Sequence, residues 1–138
     1  MIEQRRSNIL INTYDFDGVL YMNKDFPLGV SINSGNSVII TGRSFEEEEV
    51  TFRQMKELGI AEDVPVFLNP LPYDQKTRET SGQHKARTIQ KLLDLGYQHG
   101  YHFDDDEIQV EEIRQAIPGI RVVLLKHEFT YKENMRHE

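Results

Sequence analysis

The chemistry this chain could do lies in its carboxylates and in where they fall. The apolar stretch from Ile9 runs through Tyr14 straight into Asp15, Phe16, Asp17 and Gly18, and a second acidic run, Asp104 to Glu107, follows the short apolar segment Tyr101 to Phe103. Thr41, Gly42 and Arg43 close a third apolar run, and Lys85 stands at the start of an amphipathic stretch. Carboxylates crowded at one place repel one another and require a cation. Oxygen ligands in a chain without cysteine suit a hard ion, and a few carboxylates with open positions suit Mg²⁺, which keeps waters and binds substrate phosphate. Taken singly, each feature has a plainer explanation: an Asp-rich turn, a Thr-Gly turn, a solvated lysine, an acidic first helical turn. Their shared placement is what suggests joint chemistry.

The elements that must position these residues alternate. Ile9 to Tyr14, Ser37 to Thr41, Val64 to Asn69, Tyr101 to Phe103 and Ile120 to Leu125 have the length and composition of buried strands. A first helix is expected after Ser44, whose spacing to Glu47 makes a capping box; Val50, Phe52, Met55 and Leu58 share its apolar face and Gly59 ends it. The acidic run Phe45 to Glu49 then complements the helix dipole. A second helix is expected near His84 to Leu95 and a third over Ile108 to Ile117, before Pro118 and Gly119. This alternation predicts an α/β fold, a Rossmann-like three-layer sandwich with a mostly parallel sheet of about five strands and no large cap domain. In such sheets ligands bind outside the carboxyl ends of the strands, where Asp15, Asp17, Thr41, Asp104 and Asp105 fall. Leu20 to Gly35, rich in Gly, Pro, Asn and Ser, reads as a hairpin or flap (about 20–36), and the polar tail Tyr131 to Glu138 reads as a frayed end.

With 138 residues, 38% hydrophobic and 28% charged, the chain suits one globular domain over 1–138. The net charge of −7 opposes general binding to nucleic acid or membranes and favours a cationic partner. No run reaches the length of a membrane span and no signal-like start is visible, so a cytoplasmic protein is expected. Cysteine is absent, which excludes disulfides and thiolate catalysis.

In order, "DFDGVL", "IITGR", Lys85 in "HKARTIQKLL" and "HFDDDEIQVEEI" resemble the motifs of the haloacid dehalogenase-like superfamily of phosphohydrolases, over about Ile9 to Leu125. The resemblance implies that Asp15 is a nucleophile that forms an aspartyl-phosphate and that Asp17 exchanges protons with the leaving group and the attacking water. It implies that Thr41 hydrogen-bonds a phosphoryl oxygen, with Gly42 and Arg43 beside it as substrate-binding residues, and that Lys85 neutralises charge. Asp15, the main-chain carbonyl of Asp17, and Asp104 or Asp105 would hold Mg²⁺. Asp17 favours phosphate esters over the dehalogenase and phosphonatase branches. The short spacers before Thr41 and Lys85 resemble the capless group, and the stretches around Thr41 and from Leu68 to Lys85 are similar to polynucleotide kinase/phosphatase domains.

The implied activity is a Mg²⁺-dependent phosphatase acting on a phosphorylated small molecule or a nucleic-acid terminus. Arg43, Lys76, Arg78 and Arg87 are candidates for a basic rim, with scattered solvated charges as the plainer reading, and His84 and His102 are further candidate ligands. Two other classes compete: a receiver-like phosphoacceptor, and a non-catalytic metal-binding relative that serves as a protein-interaction module. A receiver carries its acidic pair on the first strand, whereas here the pair follows Lys85. No stretch points to a particular protein partner.

Overall fold

The computed structural model describes residues 9–126, so the tail from Tyr131 to Glu138 lies outside the described residues. Its strands are β1 (Leu10–Tyr14), β2 (Ser37–Ser44), β3 (Val66–Asn69), β4 (Gln98–Asp104) and β5 (Val122–Leu124). The helices are α1 (Glu48–Glu57), α2 (Arg78–Asp94) and α3 (Glu107–Ala116). The strands form a five-stranded sheet in the order β3-β2-β1-β4-β5. Every pairing is parallel, where a mostly parallel sheet was expected. The fold is α/β, a Rossmann-like sandwich without a large cap.

Period-two alternation splits the apolar residues between two faces. Ile39 packs with Tyr14, Phe16, Val19, Leu20, Met55 and Val64 on the face covered by α1. Val38 and Ile40 pack with Ile11, Ala86, Ile89 and Ile113 on the face covered by α2 and α3. β2 is buried at every position on both faces, so its apolar residues Val38, Ile39 and Ile40 run consecutively rather than alternating. Ile39 and Ile40 are fully buried, and each such side chain contributes about 1.5–3 kcal/mol through burial.

Helix starts differ from the simplest reading for identifiable reasons. The Ser44–Glu47 box forms, but its first turn is a 3-10 turn over Phe45–Glu47 that passes into α1. Helix α2 begins at Arg78, a full turn and more before His84, because Thr77 and Thr80 cap each other reciprocally. Between α2 and α3 the backbones approach closely at Gly82, where a Cβ would come within 2.8 Å of the Gln109 carbonyl oxygen.

No α-helix separates β1 from β2. The chain instead turns back on itself: the Phe16 carbonyl accepts from the amides of Leu20 and Tyr21 at 2.9 and 3.0 Å. Tyr21 and Leu28 then form an antiparallel bridge, with Met22 N donating to Pro27 O at 2.9 Å. Among the described residues, no helix is long and apolar enough to cross a membrane.

From β1 the chain moves outward through β2 to β3, then restarts on the other side of β1 at β4. The boundary between β1 and β4 is therefore the topological switch point, the place where open α/β sheets bind ligands.

Candidate functional site

Register brings the acids together. Tyr14 pairs with Phe103, and the Asp15 amide donates to the Phe103 carbonyl at 2.9 Å, so Asp15 and Asp104 leave their strands side by side at the switch point. Both are buried. Lys85 reaches them from α2: its Nζ lies 3.1 Å from Asp15 Oδ1 and 2.8 Å from Asp104 Oδ2, with the lysine side chain fully enclosed. Asp15 Oδ1 also accepts from the Phe16 amide at 2.8 Å. Carboxylate oxygens of Asp15, Asp104 and Asp105 come within 4.8 Å of one another.

The three consecutive aspartates divide their work. Asp104 Oδ1 accepts from the amides of Asp105 and Asp106 at 2.9 and 3.1 Å, while its Oδ2 takes Lys85 and His102. Asp105 turns toward the β1 loop, and its carboxylate occupies the space that a Cβ on Gly18 would fill. Gly18 also holds a φ of +84°, which an L side chain rarely adopts, so glycine is required there twice over. Asp106 is the N-cap of α3, accepting from the amides of Ile108 and Gln109, and is clasped by Arg78 through two 2.9 Å bonds. Burial works to raise its pKa, yet the Arg78 hydrogen bond and the helix amides hold the carboxyl below its usual range.

Asp17 and Arg43 lie on the other face. Arg43 is buried, with Nε 2.8 Å from Asp17 Oδ2, one terminal nitrogen 2.7 Å from Oδ1 and the other 3.0 Å from Thr51 Oγ1 on α1. Its guanidinium lies over the rings of Phe16 and Tyr21, at 4.7 and 5.7 Å from their centroids. Such a bidentate, ring-covered pair is a geometry that lysine could not supply. Thr41 is fully buried on β2, where its Oγ1 accepts from the Arg43 amide at 3.1 Å, and Gly42 O accepts from Asn69 Nδ2 at 3.4 Å.

The candidates for a basic rim scatter. Arg43 turns inward, Lys76 is buried 3.7 Å from Glu47 and Arg78 binds Asp106, while Arg87 lies on α2 in the grooves flanking it. His84 turns to the Phe67 carbonyl at 3.2 Å, and burial foremost lowers its pKa to about 4. His102, fully buried, bonds Asp104 at 2.8 Å through Nε2 and Thr13 Oγ1 at 2.8 Å through Nδ1. Sequence reasoning missed Thr13, and it gave His102 no role beyond that of a candidate ligand. The signal was there in the period of two: Thr13 shares a face with Asp15, and His102 with Asp104.

Asp15, Asp104 and Asp105 could hold a divalent ion: with Lys85 between them their formal charge is −2, and the close approach of Asp105 to Gly18 keeps its carboxylate beside the other acids. A comparison with protein-family models, curated proteins and solved structures finds no match for the chain.

Proposed function

We propose that the chain is a Mg²⁺-dependent phosphatase that hydrolyses a phosphomonoester through an aspartyl-phosphate on Asp15. The single observation that carries this reading is the sharing of Lys85 Nζ by Asp15 and Asp104 at the switch point, with Asp105 alongside. The motif resemblance to haloacid dehalogenase-like phosphohydrolases supports the same assignment.

Asp15 is the nucleophile in this scheme, its carboxylate oriented by Lys85 and the Phe16 amide, both on Oδ1. As the new O–P bond forms, the ester P–O bond breaks and the leaving oxygen takes a proton. Water then attacks the same phosphorus, inorganic phosphate departs and the Asp15 carboxylate is restored. Lys85 offsets charge on the nucleophile from a buried position that needs no reorganisation. Asp17 is the proton carrier in this scheme; both its oxygens accept from Arg43, so one contact would open as substrate enters. Asp15, Asp104, Asp105 and the Asp17 carbonyl would hold Mg²⁺, though Asp104 already accepts four hydrogen bonds and would give one up to join. When bound, the ion supplies charge neutralisation for the transferring group.

A receiver-like phosphoacceptor is less well supported, since receivers of the flavodoxin-like type have strand order 2-1-3-4-5, unlike the order here. The inward turn of Arg43 and Lys76 also weakens the case for a polymer-end substrate over a phosphorylated small molecule.

The test is a screen of phosphomonoesters with Mg²⁺, including mononucleotides and 3′- or 5′-phosphorylated oligonucleotides, comparing wild type with Asp15→Asn. Loss of at least about 1,000-fold in kcat for the variant is expected for a nucleophile. Equal phosphate release by both proteins overturns the assignment.

A further inference from the structure

Behind Asp104 a polar chain runs through the sheet toward the half-buried His99. His99 Nε2 is 2.9 Å from Thr13 Oγ1, Thr13 Oγ1 is 2.8 Å from His102 Nδ1, and His102 Nε2 is 2.8 Å from Asp104 Oδ2. Such polar side chains inside an apolar sheet carry a desolvation cost unless each donor meets an acceptor, so the direction of every bond matters.

The directions follow from what each atom can do. Ionised Asp104 only accepts, so His102 Nε2 carries the proton. A neutral imidazole then presents Nδ1 as an acceptor, and the Thr13 hydroxyl must donate to it. With its proton committed, Thr13 Oγ1 accepts from His99 Nε2–H.

We propose that His102 and Thr13 are positioning residues for the reaction centre: Thr13 fixes the His102 tautomer, and His102 fixes the Asp104 carboxylate that anchors Lys85. The inference rests on the phosphatase reading for its kinetic consequence but not for its geometry. Asp104 receives Lys85 and His102 on Oδ2 and two backbone amides on Oδ1, so both oxygens of the carboxylate are held. Rotation of the carboxylate about its Cβ–Cγ bond would break all four bonds. Loss of the His102 donor removes one hold on Oδ2 and lets Lys85 shift from the 3.1 Å contact with Asp15. Partners of this kind, one bond behind a ligand, typically contribute 10–100-fold to metal affinity or activity.

The experiment uses the full chain with ¹⁵N-labelled histidine and the variants Thr13→Val and Thr13→Ser. Long-range ¹H–¹⁵N correlation on the metal-free wild type at pH 7 should show His102 as the neutral ring protonated at Nε2. Thr13→Ser should keep that signature, while Thr13→Val should lose it or mix tautomers. With Mg²⁺ and a phosphomonoester, Thr13→Val should lower kcat about 10–100-fold with little change in KM, and Thr13→Ser should recover most of it. His102 protonated at Nδ1, or doubly protonated, overturns the proposal. So does a folded Thr13→Val with wild-type tautomer and kinetics. Should Thr13→Val not fold, the wild-type and Thr13→Ser spectra decide. Should the wild type release no phosphate from any ester, the phosphatase reading fails while the tautomer measurement still judges the positioning network.

Discussion

On the α2 side of β1, Lys85 is shared between Asp15 and Asp104, whereas on the α1 side Arg43 sets two guanidinium nitrogens on the one carboxylate of Asp17. Both clusters are buried, and both set cations against acids. They differ in matching. The arginine cluster is a one-to-one bidentate pair closed by Phe16, Tyr21 and Thr51. In the lysine cluster one cation is shared by two carboxylates, with a third, that of Asp105, within 4.8 Å of both. Arg43 thus ties the β1 loop to α1, while Lys85 holds together the acids that the proposed function uses.

The sharpest way to break this contrast is to remove the shared cation. Lys85→Met leaves Asp15 and Asp104 buried face to face, and stability should fall by about 3–5 kcal/mol in metal-free urea unfolding. Mg²⁺ should restore part of that loss. If the variant unfolds at the wild-type midpoint without metal, the two carboxylates do not depend on Lys85.

A smaller effect separates the clusters. Arg43→Lys keeps the charge but loses the second hydrogen bond and the stacking over Phe16, which should cost about 1.5–3 kcal/mol. At a concentration about tenfold above its Kd, Mg²⁺ should stabilise the wild type by about 1.4 kcal/mol. That gain should survive in Arg43→Lys and disappear in Asp105→Asn, as read from thermal melts with and without Mg²⁺. A Mg²⁺ gain retained by Asp105→Asn would remove Asp105 from the site.

The broadest effect is acid sensitivity. His84 and His99, whose ring nitrogens bond Phe67 O and Thr13, have folded pKa values lowered to about 4 from 6.5, chiefly by burial. The unfolded chain therefore binds more protons between these values, so stability is complete above pH 6.5 and declines as pH falls toward about 4. Urea midpoints at pH 7, 6 and 5 should decrease in that order, and His84→Gln should flatten the slope. An unchanged slope in that variant would mean that His84 is not held neutral by its surroundings.

Much of the candidate site could be read from the chain. Asp15 and Asp104 each end an apolar run, and parallel strands put their carboxyl ends on one edge, so their common edge followed from pattern, while their meeting there needed β4 to pair with β1. Arg43 could not be placed in this way. In "TGR" it reads as a strand-end residue aimed at substrate, but β2 continues through Ser44, which puts Arg43 on the same face as Ile39 and Thr41 and over the rings of the β1 loop. Helix α2 was read too short because its cap uses Thr80 where Glu or Gln is the recognised signal. The aspartate triplet was ambiguous for a simpler reason. Neighbouring residues of one type differ only in where the backbone points them, and that is set by the turn from β4 into α3.

The linear chain by itself determined which segments are strands and helices, that the strands run parallel, and that acids cluster at their ends. These depend on periodicity and on caps within a few residues. Tertiary structure decided which acid meets which cation: Asp17 with Arg43, Asp106 with Arg78, and Asp15 and Asp104 with Lys85. Buried ionic partners are chosen by strand register and by the approach of helices distant in sequence, and no local pattern of charges specifies either.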